Sequence, residues 1–79
     1  MMEILINEQD WKSVERMKRL MSIIEKLKNN GWEKFGHSGT VVFFKDTTEE
    51  KASRELKELQ IKEVKAETWE EELYINNIF

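Results

Sequence analysis

Apolar residues recur at three- and four-residue spacing through Trp11, Val14, Met17, Leu20, Met21, Ile24 and Leu27. That is the period of one face of an α-helix. The spacing predicts one long helix from Asn7 to Asn30. Asn7 offers a capping oxygen to an orphan backbone N–H, and Asp10 places a carboxylate at the positive end of the helix dipole. Asn29-Asn30-Gly31 supplies the stop, because Asn30 or Gly31 can take the left-handed conformation of a C-cap. A basic flank of Lys12, Arg16, Arg19 and Lys26 accompanies the stripe.

The pattern changes period on either side of this helix. Glu3 to Ile6 reads as a short strand, and Val41-Val42-Phe43-Phe44 is the strongest strand-forming run in the chain. Trp32–His37 and Thr40–Lys45 form a hairpin about Ser38-Gly39. A two-residue loop sets His37 opposite Thr40, Gly36 opposite Val41, Phe35 opposite Val42, Lys34 opposite Phe43 and Glu33 opposite Phe44. One face then carries Phe35, Val42 and Phe44, and the other carries Trp32, Val41 and Phe43. Both are apolar, whereas a hairpin open to water on one side alternates with polar residues there. The long helix accounts for one face, so the C-terminal segment or another polypeptide is expected on the second.

Thr47 with Glu50, or Thr48 with Lys51 as a plainer cap, opens a second helix to about Leu59, with Ala52, Leu56 and Leu59 inward. Ile61 to Ala66 reads as a further strand, one-sided because Glu63 and Lys65 alternate with its apolar positions. Residues 69–79 read either way: Thr68-Trp69-Glu70-Glu71 matches a capping box, and Leu73-Tyr74-Ile75 matches a strand. The expected fold is a single α+β domain over residues 1–79, a small antiparallel sheet packed by one long and one shorter helix. The element order admits a ferredoxin-like split βαβ topology.

Composition narrows the function classes. A chain of 79 residues with 39% apolar and 37% charged content has room for one narrow core. A domain of this size buries only about 60–65% of the surface of its unfolded chain, so function is expected on a surface or at an interface. Without cysteine there is no disulfide, thiolate nucleophile or thiolate metal site. The first residues form no basic, apolar leader, and a cytoplasmic setting is expected. No apolar run approaches the roughly 20 residues that span a bilayer, so no membrane partner is expected. Charge is uneven: residues up to Lys45 hold 8 basic and 6 acidic side chains, a balance of +2, and the remainder 5 and 10, a balance of −5.

Linear motifs for catalysis are weak. His37 stands alone in Gly36-His37-Ser38-Gly39, with no second ligand at metal-binding spacing. The same turn lacks the glycine spacing and lysine of a phosphate loop. Asp46, Glu49 and Glu50 fall at a helix start, where carboxylates have an ordinary stabilising role. Neither a metal nor a cofactor is expected.

The leading expectation is therefore a non-enzymatic regulatory or inhibitory protein that occludes the surface of another protein, or of a second copy of itself. Trp32, Val41, Phe43 and Trp69 would supply apolar contact, and Glu70, Glu71 and Glu72 would favour a basic partner. The alternative is a nucleic-acid-binding module in which Lys12, Arg16, Arg19 and Lys26 meet phosphates, although Glu15 and Glu25 interrupt that field. Third is a small enzyme whose carboxylates and Tyr74 converge only in space.

Overall fold

The computed structural model describes residues 1–37 and 39–69. Along these the chain forms β1 (Met2–Asn7), a 3-10 turn (Glu8–Asp10), α1 (Val14–Asn29), β2 (Glu33–His37), β3 (Thr40–Lys45), α2 (Glu49–Glu58) and β4 (Ala66–Thr68). The sheet order is β2-β3-β1-β4, and every neighbouring pair is antiparallel. The β1-α1-β2 unit straddles β3, and the β3-α2-β4 unit straddles β1. The α+β class, the antiparallel sheet and the long and shorter helices are as the sequence pattern requires.

The first helix begins later than its apolar spacing indicates. Asn7 is extended and ends β1, and its side-chain oxygen accepts from the Gln9 backbone N–H at 3.1 Å to cap the 3-10 turn. Ser13 caps α1 instead, its Oγ accepting from the Arg16 N–H at 3.1 Å. Trp11 lies between the two capped turns and is buried. Its spacing to Val14 imitates helical periodicity across a break in the helix.

Both helices end in the same way. After α1, the Trp32 N–H donates to the Leu27 carbonyl and the Gly31 N–H to the Lys28 carbonyl, with Gly31 at φ +87°. After α2, the Ile61 N–H donates to the Leu56 carbonyl and the Gln60 N–H to the Lys57 carbonyl, with Gln60 at φ +58°. These are Schellman motifs, in which a left-handed residue reverses the chain and sends the next side chain back onto the helix. Trp32 and Ile61 are those side chains, and both are buried. Ile61 is thus spent on ending α2, which is why the strand expected from Ile61 starts only at Ala66.

Between the helices and the sheet lies an entirely apolar core. β1 contributes Met2, Ile4 and Ile6, β3 contributes Val41 and Phe43, and Trp32 closes one end. Leu20, Ile23 and Leu27 of α1 and Ala52 and Leu56 of α2 cover them. Burying each large aliphatic or aromatic side chain contributes about 1.5–3 kcal/mol before conformational entropy is counted. No described helix is long and apolar enough to cross a membrane.

Polar ties hold the connections to this core. The Trp32 indole Nε1–H donates to Glu55 Oε1 at 2.6 Å, and Lys45 Nζ donates to Glu55 Oε2 and to the Asn30 carbonyl, each at 2.7 Å. On the other side of α1, Arg19 Nη2 donates to the Gln60 carbonyl at 2.7 Å and Lys26 Nζ to the Leu59 carbonyl at 3.1 Å.

Candidate interaction surface

Strand alternation settles which face of the hairpin is inside. The pairing of Ile4 with Phe43 and of Ile6 with Val41 puts the apolar side of β1 on the same face as Val41 and Phe43. The helices cover that face. Trp32, Val41 and Phe43, expected from the sequence as apolar contacts, are buried within the folded chain, so none of them is available as a surface. This corrects the earlier assignment of faces.

The opposite face is the open one. Phe35, Val42 and Leu5 form one row across β2, β3 and β1, and Glu33, Phe44, Glu3 and Glu67 form the next. Leu5 is 57% exposed and Phe35 50%, while Val42 and Phe44 are half-buried. The Phe35 and Phe44 rings meet edge to face at 5.3 Å between centroids, and the Phe44 and Trp69 rings do so at 5.5 Å. Trp69 is positioned by its backbone N–H, which donates to the Met1 carbonyl at 2.9 Å. The result is a continuous apolar strip from Leu5 to Trp69.

Acidic groups flank the strip. Glu33 and Glu3 stand on either side of Phe44, and Glu67 continues the row at the sheet edge. Among the described residues none of these three carboxylates forms an ion pair; the pairs present are Arg19–Glu63, Lys45–Glu55 and Arg54–Glu50.

Of the sequence-derived interface set, only Trp69 falls on this face. Glu70, Glu71 and Glu72, the remainder of residues 69–79 and Ser38 lie outside the described residues. Leu5, Phe35, Val42 and Phe44 were not singled out by sequence reasoning. Their signal was the parity of β1, where Met2, Ile4 and Ile6 share one side and Glu3, Leu5 and Asn7 the other.

The basic flank of α1 is largely committed within the fold. Arg19 grips Glu63 through two contacts, Nε to Oε2 at 2.5 Å and Nη2 to Oε1 at 3.1 Å. The Arg19 hydrogen bonds, aided by the Lys62 backbone N–H, draw the Glu63 carboxyl down to about 2. Lys26 holds the Leu59 carbonyl, and the Arg16 guanidinium lies 4.9 Å over the Trp11 ring. Three of these four side chains thus make separate local contacts within the fold, and Lys12 is exposed.

Among the described residues, no group of three or more histidine, aspartate or glutamate side chains is placed to hold a metal ion. Arg19 and Glu63 form a partly exposed ion pair that joins α1 to the segment after α2, each holding the other in its charged form. Comparison with protein-family models, with curated proteins and with solved structures returns no match.

Proposed function

We propose that this chain is a non-enzymatic protein-binding module that regulates or inhibits its target by covering part of the target's surface with its open sheet face. The observation that carries the reading is the strip of Leu5, Val42, Phe35 and Phe44 on a face that the helices leave uncovered. A large apolar area with a charged border is the usual composition of a recognition surface. Glu3, Glu33 and Glu67 orient the approach of a basic partner, and the aromatic row supplies the anchors. A cytoplasmic setting accords with a chain that contains no cysteine.

Affinity capture from native extract with four forms of the protein tests this reading. The intact chain and an Arg16→Glu control are expected to retain the same partner. Leu5→Ser/Phe35→Ser and Glu3→Lys/Glu33→Lys are expected to lose it while keeping native circular dichroism. Unchanged capture by both folded outer-face variants rejects the reading. The nucleic-acid alternative is checked in parallel by oligonucleotide titration at two salt concentrations, since phosphate binding weakens as salt rises.

A further inference from the structure

We propose that two copies of this chain join through the free edge of β2 and the adjoining flank of α1, continuing the sheet across a two-fold axis at Phe35. The inference rests on the sheet edge and the α1 flank and shares Phe35 with the outer-face reading; the Lys18 and Glu25 reversals, which leave that face untouched, separate the two.

Three unfinished features point in the same direction. The first is the edge itself. Among the described residues β2 ends the sheet order, with β3 on one side and no strand on the other. The Glu8 N–H donates to the Gly39 carbonyl, so Val41 and Phe43 bond towards β1 and Thr40, Val42 and Phe44 towards β2; their partners Glu33, Phe35 and His37 are the positions that exchange hydrogen bonds with β3. The backbone N–H and C=O groups of Lys34 and Gly36 consequently point outward. The second feature is a helix flank. Val14, Met17 and Met21 are 71%, 53% and 69% exposed, a second apolar stripe on α1 separate from its core stripe. The opposite flank carries Arg19 and Lys26, which reach Glu63, Gln60 and Leu59 after α2. The methionine flank therefore faces away from α2, and Met21 and Ile24 line a groove with Lys34 of β2. The third is Phe35, half-exposed on this last strand, with the Phe44 ring against it.

A second copy completes all three because the edge is self-complementary. Antiparallel pairing about Phe35 sets Lys34 against Gly36 of the second copy and Gly36 against its Lys34. Each of these two pairs exchanges two backbone hydrogen bonds. Gly36 is suited to this, since even a Cβ there would meet nothing within 4 Å, and it leaves room for the lysine stem. On the outer face Phe35 meets Phe35 at a non-hydrogen-bonded position, where side chains approach most closely. On the inner face the two α1 helices run antiparallel with Met21 near the axis. Lys18 and Glu25, both exposed and each about one turn from Met21, then come beside Glu25 and Lys18 of the second copy. Charge and register therefore favour a second copy over an unrelated strand.

The joined sheet also unites the two outer faces, so the row Leu5, Val42, Phe35 continues through its symmetry mate. Sedimentation equilibrium on the intact chain, from micromolar to near-millimolar concentration, tests the proposal. The expected species has twice the 9.5 kDa chain mass. Met17→Lys/Met21→Lys and Gly36→Pro are expected to sediment as monomers, the latter because it removes an outward N–H at an edge position that tolerates proline. Leu5→Ser/Val42→Ser should remain dimeric. Lys18→Glu or Glu25→Lys alone should raise the dissociation constant about tenfold, since symmetry applies each like-charge contact twice, and the two together should restore it. A monomeric intact chain overturns the proposal, as does a dimer that survives Gly36→Pro or is lost in the outer-face variant. If a methionine or proline variant lacks native circular dichroism, the charge-reversal series decides, and failure of the double reversal to restore association overturns it. A monomeric result leaves the capture test of the outer face intact.

Discussion

The Trp32 indole N–H meets the Glu55 carboxylate at 2.6 Å, joining the end of α1 to the middle of α2. The second carboxylate oxygen takes Lys45, whose ammonium stands 5.8 Å from the Trp32 ring. One glutamate thus satisfies a buried tryptophan and a lysine from β3.

Glu55→Ala leaves the indole N–H without its acceptor and Lys45 with the Asn30 carbonyl alone. The expected cost is about 2 kcal/mol, in the range for hydrogen bonds to charged groups. Glu55→Gln retains one acceptor for Trp32 and should cost about half as much. Urea denaturation of the two variants checks the order, and equal costs would show that the indole contact contributes little.

The two faces of the hairpin should respond differently to truncation. Phe43 is fully buried, and Phe43→Ala is expected to cost about 3–5 kcal/mol. A domain of this length holds only about 4–12 kcal/mol in total, so this variant should be close to unfolding. Phe35→Ser removes a half-exposed ring and should cost about 1 kcal/mol or less. Thermal melts followed by circular dichroism separate the two, and a larger loss at Phe35 would reverse the assignment of faces.

Acid should weaken the link between α1 and the loop after α2. The Glu63 carboxyl lies at about 2 in the folded chain, below its ordinary value near 4.5. A depressed carboxylate contributes stability that is present above the ordinary value and is lost as pH falls through the folded one. The contribution of the Arg19 pair should therefore fade between pH values of about 4.5 and 2. Both side chains are about one-third exposed, and solvent screening limits the pair to roughly 0.5–1 kcal/mol. Glu63→Gln should show a correspondingly flatter fall in urea midpoint across that window. An unchanged slope would locate the acid sensitivity elsewhere.

Helix capping gives a positional test. Ser13→Ala should cost about 1 kcal/mol, because Ser13 caps the sixteen-residue α1. Asn7→Ala should cost less, since Asn7 caps only a three-residue turn. Equal losses in chemical denaturation would favour a helix that begins at Asn7.

The left-handed residue after α2 is a glutamine. Gln60 at φ +58° occupies a conformation that glycine adopts without penalty, as Gly31 does at the equivalent place after α1. Gln60→Gly is expected to raise stability by about 0.5–1 kcal/mol, and Gly31→Ala to lower it by about 1 kcal/mol. A Cβ at position 31 meets only Lys45 Cε at 3.8 Å, so backbone conformation and not crowding sets that cost. Paired melting curves check the opposite signs.

Much of the fold was legible wherever local chemistry decided it. The β2–β3 register expected from a two-residue loop is observed position for position from Glu33–Phe44 to His37–Thr40. Thr48 caps α2 by accepting from the Lys51 N–H at 3.3 Å, one of the two caps the sequence offered. Long-range choices were not legible. Phe35, Val42 and Phe44 are as apolar as Trp32, Val41 and Phe43, so the hairpin alone gives no reason to bury one set. The register of β1 against β3 decides it. Likewise α1 carries two apolar stripes. Leu20, Ile23 and Leu27 face the sheet, whereas Val14, Met17 and Met21 lie outside the core. A single helical period merged these stripes and omitted Ile23. That merging hid the α1 flank, whereas the outer face was hidden by the hairpin's two equally apolar sides.

The brevity of β4 sets an order of opening. It faces β1 at three positions, whereas β1 faces β3 at six and β2 faces β3 at five. Amide exchange should therefore reach Ala66–Thr68 well before β1 and β3. Peeling that strand converts β1 from an interior strand into an edge and brings water to Met2 and Ile4, so slow unfolding of the molecule starts at the side of the sheet farthest from β2.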